Sequence, residues 1–385
     1  MEYKKIIELT TVVTGGTPST EKREYWDNGS IPWLQSGCCQ NCEVNSAGKY
    51  ITQEGYDNSS TRMMPVDTVM IALTGATAGK VGYLNFAACG NQSITGILPC
   101  GALNQRYLFY YLISQRDKIL ADCVGGAQVH ISQGYVKNIK VPVLSLVEQE
   151  QVVEVLTQLN SIISMRRKEI GLLDTLVKSR FAEMFGDPIQ NPYNWSIKSL
   201  LEMGYCKNGM NFHTGDSGIE LYCLGVGDFK DYSIIDGTDQ LSKISLNEMP
   251  PEESMLQNGD IVFVRSNGNK DLVGRCVLVY PHDVQTTYSG FCIRYRLTSR
   301  EVNKNYLLRV LKTDSMRKQM TGRGANIQNL NQKTLATLNI PIPPIELQNQ
   351  FADFVASIDK SKSKIRKSLE ETQLLFDSLM QKYFG

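Results

Sequence analysis

The sequence predicts an α+β protein made of two copies of one unit, in which an α/β domain is followed by a long α-helix. Three observations predict this class. The chain repeats itself at a fixed offset, each copy ends in a heptad pattern, and the body before each pattern contains short β-rich runs between Gly, Thr, Ser and Asn clusters. The length of 385 residues is therefore explained by duplication.

The repeat is clearest in the second half of each copy. The sequence VPV at 141–143 returns as IPI at 340–342, and Gln149 and Gln151 return as Gln348 and Gln350, 199 residues later. MFG at 184–186 meets YFG at 383–385 at the same offset. Upstream, GAQV at 126–129 resembles GANI at 324–327, after a small insertion. The chain is therefore two units of roughly 190 residues each.

The end of each copy is predicted to be one long helix. Apolar positions in 152–184 and 351–383 recur in alternating steps of four and three residues, the spacing of a coiled-coil seam. Each helix would have about 38 residues and a length of about 57 Å. Four polar residues interrupt the seams, at Arg166, Arg180, Lys362 and Thr372. The residues predicted to pair the helices are Leu156, Leu159, Ile163, Ile170, Leu173 and Val177 in the first, and Val355, Ile358, Ile365, Leu369, Phe376 and Leu379 in the second.

The two helices are expected to pair with each other in an antiparallel manner, because the body between them can return the second beside the first. A homodimeric coiled coil, or two helices that each pack only on their own domain, are the alternatives. The predicted domains are 1–144 and 187–343, each an α/β body, and the predicted helices are 145–186 and 344–385.

Composition excludes several classes of protein. Lysine and arginine total 40 against 39 acidic residues, so a protein that coats nucleic acid through bulk charge is excluded. The chain has no run of 18 apolar residues, and residues 1–10 lack the apolar core of a signal peptide. The ten cysteines follow no paired framework. We therefore expect a cytoplasmic protein with reduced thiols and no membrane partner.

Catalytic residues do not form a convincing pattern. Cys39 and Cys42 make half of a zinc or redox motif, without a second CxxC. The three histidines are scattered, and the glycine-rich 74–80 lacks the spacing of a phosphate-binding loop. We expect a non-catalytic chain that holds no metal and no cofactor. A metal- or thiol-dependent enzyme that uses Cys38–Cys42 is the alternative.

Local charge favours nucleic-acid binding. Residues 300–333 contain eight basic and two acidic residues, 8 − 2 = +6, whereas the whole chain carries +1. The matching residues 104–140 carry five basic and two acidic residues, or +3. A positive segment at the same place in both copies is expected if both contact one polyanion.

Loops rich in small residues supply candidate base-reading side chains. Arginine suits guanine, and asparagine or glutamine suits adenine, at the major-groove edge of a base pair. The residues predicted to bind DNA are Thr74, Thr77, Lys80, Gln128 and His130 in the first copy, and Arg265, Asn267, Asn269, Lys270, Arg317, Arg323 and Asn326 in the second.

The first copy contains the motifs GGTP at 15–18, IPWL at 31–34, GATAGK at 75–80, HISQ at 130–133, VPV at 141–143, QEQ at 149–151 and MFG at 184–186. Taken in order, these motifs resemble the specificity subunit of type I restriction–modification systems over nearly the whole chain. No single motif is specific, but their order, doubled along one chain, is. Two places depart from the pattern, since cysteines occupy 38–42 and the second body has HTGD at 213–216 where the first has GGTP at 15–18.

The resemblance implies two target-recognition domains that alternate with two helical segments, arranged with pseudo-twofold symmetry. Each domain would read one half of a bipartite double-stranded DNA target in the major groove, and the helices would set the spacer. Two methyltransferase subunits carrying S-adenosylmethionine would dock on the chain, and restriction subunits would complete the complex. A stand-alone DNA-binding regulator and a scaffold of the same architecture are the alternatives.

Overall fold

The computed structural model describes residues 2–123, 130–213, 215–229, 232–321 and 329–385. The chain forms two compact units, of which the first is Met1–Lys168 with Arg366–Gly385 and the second is Glu169–Ile365. Each long helix contributes residues to both units, because each division lies within a helix. In the part of the chain that the structure describes, no helix combines the length and apolarity needed to span a bilayer.

The first body contains short strands and helices that lead into one long helix. Its strands are β1 (Glu2–Lys5), β2 (Val12–Thr14), β3 (Ile31–Leu34), β4 (Cys42–Val44), β5 (Lys49–Ile51), β6 (Val69–Ala72), β7 (Val81–Leu84), β8 (Cys89–Gly90), β9 (Ile94–Ile97) and β10 (Lys140–Val143). Its helices are α1 (Ile6–Leu9), α2 (Gln53–Asp57), α3 (Gln105–Ser114), α4 (Arg116–Asp122) and α5 (Gln133–Asn138), followed by the long α6 (Leu146–Phe185).

The second body repeats this pattern. Its strands are β11 (Ser196–Ser199), β12 (Gly204–Asn208), β13 (Ile219–Leu224), β14 (Ile234–Asp236), β15 (Ser242–Leu246), β16 (Asp260–Val264), β17 (Cys276–Tyr280), β18 (Thr286–Tyr288), β19 (Cys292–Leu297) and β20 (Asn339–Ile342). Its helices are α7 (Lys304–Leu311), α8 (Asp314–Thr321) and α9 (Gln332–Ala336), followed by the long α10 (Ile345–Phe384).

The sheets of the two units have the same topology. The first unit has a five-stranded sheet in the order β2-β9-β6-β7-β4, and the second has one in the order β12-β19-β16-β17-β14. Three-stranded sheets β5-β3-β8 and β15-β13-β18 and two-stranded sheets β1-β10 and β11-β20 complete them. The outer strands β4 and β14 pair in parallel, while the others in each five-stranded sheet pair antiparallel. The predicted fold class is confirmed.

The central strands are apolar because both faces of the five-stranded sheets are covered. Successive side chains of a strand point to opposite faces. In β16, Ile261 and Phe263 belong to the core formed with the helices, whereas Val262 and Val264 belong to the core that also contains Tyr288 of the three-stranded sheet. A short, continuous apolar run is the expected sequence of such a strand.

The repeated glutamines fix the start of each long helix. Gln149 and Gln348 are fully buried. The Gln149 side-chain oxygen accepts from the Asn104 backbone N–H at 2.8 Å, and its amide donates to the Leu144 carbonyl at 2.9 Å. Gln348 makes the equivalent bonds at 2.8 Å, accepting from Asn303 and donating to a carbonyl just before α10. A buried amide needs such partners, so glutamine recurs at both positions.

Each body also packs against the end of the long helix from the other copy. In the first unit, the rings of Tyr107 and Phe384 lie 5.2 Å apart, and in the second, the rings of Tyr306 and Phe185 lie 4.8 Å apart. The offset of 199 residues relates Tyr107 to Tyr306 and Phe185 to Phe384, so each body contacts the helix of the other copy. The phenylalanine that recurs at the end of each copy is therefore part of a domain core.

Within each unit the two helices run antiparallel. In the first unit, the Arg166 guanidinium contacts the Thr372 hydroxyl and the Ser368 carbonyl. In the second, the Lys362 ammonium lies 2.6 Å from the Asp174 carboxylate, and Phe181 packs against Phe351 with 5.5 Å between ring centroids. Residues with higher numbers in α6 thus contact residues with lower numbers in α10, as antiparallel pairing requires.

The structure places the predicted pairing residues inward. Leu156, Ile163, Val177 and Val355 are buried. The others are half-buried: Leu159, Ile170, Leu173, Ile358, Ile365, Leu369, Phe376 and Leu379.

The seam predicted at the end of α6 is wrong by one residue. Arg180, which continues the four-three spacing, is exposed and pairs with Glu183 on its own helix at 2.8 Å. The buried residues are instead Phe181 and Phe185, which contact Tyr306 of the second body. A straight helix drifts from a 3.5-residue repeat, and here the drift places Phe181 and Phe185 against both Phe351 of α10 and Tyr306 of the body.

Candidate nucleic-acid interface

The connecting segments at one edge of each five-stranded sheet bring together most of the predicted DNA-binding residues. At this edge of the first unit, β2 and β6 end while β7 and β9 begin. The register of the second unit is the same for β12, β16, β17 and β19. We call these edges the loop edges. They comprise residues 15–18, 73–80, 90–93 and 130–133 in the first unit, and 209–212, 265–274, 289–291 and 329–332 in the second.

In the first unit the structure joins two segments that are distant in sequence. Thr74 forms an isolated β-bridge with the exposed His130, and the Ile131 N–H donates to the Leu73 carbonyl at 2.9 Å. The Thr74 hydroxyl also donates to the Ser93 hydroxyl at 3.0 Å. Half-buried Thr74 is therefore held by both neighbours, while the His130 side chain is available at the surface.

A tight turn shapes the rest of this loop. Residues Gly75–Thr77 form a 3-10 turn, and Thr77 is half-buried. Gly79 has a φ of 73°, a left-handed conformation that favours glycine. The Lys80 ammonium donates to the Gln40 side-chain oxygen at 2.7 Å. Lys80 thus lies at the same edge, where it is hydrogen-bonded to a neutral amide.

The second unit repeats the junction with different side chains. Ser266 bridges Asn329, and the Leu330 N–H donates to the Arg265 carbonyl at 2.7 Å. Asn267 accepts through its side-chain oxygen from the Asn269 N–H at 2.8 Å. The Asn269 side-chain oxygen in turn accepts from the Asp271 backbone N–H at 3.0 Å. Asn269 thereby caps the 3-10 turn Lys270–Leu272, whose first residue, Lys270, is exposed. Both asparagines therefore shape the loop.

Arg317 is held against the turn that contains Asp271. Its Nη2 atom donates to the carbonyls of Asp271 and Val273, at 3.0 Å each, and the side chain is half-buried. The guanidinium thus holds the turn that follows Lys270. The DNA-binding role expected of Arg317 stays a prediction. Gln128, Arg323 and Asn326 lie outside the described residues.

The basic residues of 300–333 do not all lie on one exposed face. The Lys312 ammonium donates to the Tyr232 carbonyl at 3.2 Å, and burial lowers the pKa of Lys312 and of Arg309. Lys304 donates to the Asn258 carbonyl, just before β16 begins, whereas Arg265 follows the other end of that strand. Basic side chains of residues 300–333 thus lie partly on a buried face and partly at the edge of the sheet opposite to the loop edge.

The equivalent segment of the first unit is also partly neutralised. Arg106 pairs with Glu43, whose carboxyl pKa is lowered by this contact, and stacks on the Tyr83 ring at 4.5 Å. Its charge supports the packing of α3 on the sheet. Exposed Lys118 and Lys140 remain at the surface of the first unit.

The cysteine cluster, Cys38, Cys39 and Cys42, flanks Gln40, the partner of Lys80. Cys39 is buried, and its hydrogen bond with Cys38 raises the Cys39 pKa and lowers that of Cys38. Within the described ranges, His, Cys, Asp and Glu side chains form no group of three or more that could hold a metal ion.

Sequence reasoning missed several residues of the loop edges. In the first unit the Thr17 hydroxyl contacts the exposed Gln92 side chain. In the second unit Phe291 is 61% exposed, and Gln332 donates to the Asn208 side chain at 3.2 Å. The strand registers place these residues at the edge, and a one-dimensional motif does not contain that information.

These features define a duplicated α+β protein in which two equivalent loop edges carry different polar side chains. The family model for the type I restriction modification DNA specificity domain matches residues 1–172 and 229–372. The chain belongs to this family, which confirms the resemblance and the expectation of a specificity subunit that is not itself the enzyme.

Individual relatives agree. The chain is 32% identical over 181 residues to the EcoR124I/EcoR124II specificity subunit of Escherichia coli, a match that spans 45% of each protein. It is 23% identical to the StySPI specificity subunit of Salmonella potsdam, over 98% of this chain and 86% of that protein. Among solved structures, an S subunit from M. genitalium aligns over all of this chain and 96% of the other, with a TM-score of 0.58 and 16% identity. That likeness supports the fold.

Proposed function

We propose that each loop edge reads one half of a bipartite double-stranded DNA target in the major groove. The observation that carries this proposal is the recurrence of one junction with different side chains, Thr74 with His130 in one unit and Ser266 with Asn329 in the other. An equivalent backbone with different side chains is suited to two different half-sites, because hydrogen-bonding groups at base edges specify sequence.

The antiparallel helices are proposed to set the spacer between the half-sites. They also offer surfaces for two methyltransferase subunits, which would carry S-adenosylmethionine, and restriction subunits would join this assembly in the cytoplasm. This chain's own residues would bind and orient the DNA, and the partner would supply the methyl transfer. The alternative of a stand-alone DNA-binding regulator predicts selective binding without co-purification of a methyltransferase subunit.

The test is to co-express the chain with its methyltransferase subunit and map the methylated adenines. We expect two half-sites separated by a fixed, unread spacer. Arg265→Ala should relax one half-site, and His130→Ala should relax the other. Methylation without a bipartite pattern, or both variants affecting the same half-site, would contradict the proposal.

A second variant tests the role of the helices. One heptad inserted into each of α6 and α10 adds about 10 Å to each helix, a length of about three base pairs. We expect a longer spacer and unchanged half-sites. Altered half-sites with an unchanged spacer would contradict the spacer function.

A further inference from the structure

Phe291 is an exposed aromatic residue in the middle of the second loop edge. Its exposed fraction is 61%, whereas the next residue, Cys292, is fully buried as the first residue of β19. A single exposed apolar side chain is common on protein surfaces. Its position among predicted base-reading residues, and the way it is held, distinguish Phe291 from such cases.

The backbone of Phe291 is fixed on both sides. Its carbonyl accepts from the N–H groups of Arg265 at 2.8 Å and Ser266 at 3.4 Å, and its own N–H donates to the Ser289 hydroxyl at 3.3 Å. The Arg265 guanidinium donates to the Gly290 carbonyl at 3.4 Å. The ring therefore projects from a fixed point beside Arg265, which lowers the entropic cost of using it in recognition.

The other unit has a polar residue at this place. Ile94 pairs with the last residue of β6, and Cys292 pairs with the last residue of β16, so Ser93 is the counterpart of Phe291. Their carbonyls also accept equivalent bonds, from Leu73 at 2.9 Å and from Arg265 at 2.8 Å. One backbone site thus carries a hydroxyl in the first unit and a phenyl ring in the second.

We propose that Phe291 packs against the 5-methyl group of a thymine in the half-site read by the second unit. This inference rests on the proposed function. The thymine methyl is the apolar group that base pairs present in the major groove, beside the acceptors and donors that arginine and asparagine read. A phenyl ring over a polar base edge would leave that edge without a hydrogen-bond partner. Phe291 is therefore a specificity-determining residue that favours thymine.

Replacement of thymine by uracil removes this methyl group and nothing else. The complex of the full chain with its methyltransferase subunit is titrated with duplexes of the mapped target, in which one thymine at a time is replaced by uracil. At one position we expect about fourfold weaker binding, as for removal of one buried methylene-sized group. Phe291→Ala should bind thymine and uracil duplexes equally, and Phe291→Leu should retain most of the difference.

Tyr193→Ala is the matched control, because Tyr193 is 53% exposed but lies in the segment after α6, where its hydroxyl contacts the Glu183 carbonyl. This variant should keep the full thymine preference. Equal binding of thymine and uracil duplexes by the unaltered complex would overturn the inference. So would a preference that survives in Phe291→Ala, or loss of the methyltransferase subunit from that variant. Failure of the unaltered complex to select any duplex would instead refute the proposed function.

Discussion

The contact between Lys362 and Asp174 should stabilise the helix pair of the second unit. Lys362 interrupts an apolar seam and is only 5% exposed, and its ammonium lies 2.6 Å from the Asp174 carboxylate. Asp359 lies farther away, at 3.9 Å. Asp174→Asn removes the nearer charge and leaves the buried ammonium with a weaker partner.

The expected cost follows from the burial of the two partners. Breaking a fully buried pair costs about 3–5 kcal/mol, and breaking an exposed one costs about 0–1 kcal/mol. Lys362 is buried, but the Asp174 side chain is 47% exposed, so Asp174→Asn should cost about 2 kcal/mol. Lys362→Met leaves Asp174 in contact with water and should cost less than about 1 kcal/mol.

Hydrogen exchange of the α10 amides measures the local opening free energy in each variant. The double variant should resemble Lys362→Met alone, because the carboxylate no longer has a partner to lose. Asp377→Asn is the matched control, since this exposed carboxylate contacts only Gln373 on its own helix among the described residues, and it should change little. A cost for Asp174→Asn below about 0.5 kcal/mol would refute the reasoning.

Three further predictions concern single sites. Arg294 is fully buried, and its guanidinium stacks on the Tyr205 ring at 5.0 Å without an ion-pair partner among the described residues, so Arg294→Met should leave the urea-unfolding free energy unchanged or raise it by up to about 4 kcal/mol; a clear loss would oppose this. Gly79 and Gly274 have left-handed backbone conformations, with φ of 73° and 76°, so an alanine at either position should lower the unfolding free energy by about 1–2 kcal/mol. Methylation mapping should show one relaxed half-site in each of the variants Gly79→Ala and Gly274→Ala. Cys38 should be alkylated before Cys39 in a timed mass-spectrometric assay, because its pKa is the lowered one; the reverse order would contradict this.

Several features of the fold follow from sequence because they depend on local pattern. The four-three spacing predicts both long helices, which extend over Leu146–Phe185 and Ile345–Phe384. The offset of 199 residues predicts equivalent contacts, and Gln149 and Gln348 make them. Gly171 lies within α6 without breaking it, because tertiary packing of an amphipathic helix outweighs the propensity of one glycine.

The loop edges show what local pattern does not contain. Thr74 and His130 are 56 positions apart, and only the sheet register brings them together. Arg317 and Arg265 have the same charge in sequence, yet one holds a turn and the other reaches the edge. No sequence motif marks Phe291. Whether a phenylalanine just before a strand is exposed depends on which distant residues cover it.

The sequence by itself determined the duplication and the two long helices, because each is a regular spacing of residue types, and the order of its motifs indicated the family. Only the tertiary structure decided which charges face inward, where the apolar stripe of α6 turns toward Tyr306, and which residues meet at each loop edge. The physical reason is that burial and contact depend on chain segments far apart in sequence, whereas periodicity depends on neighbours.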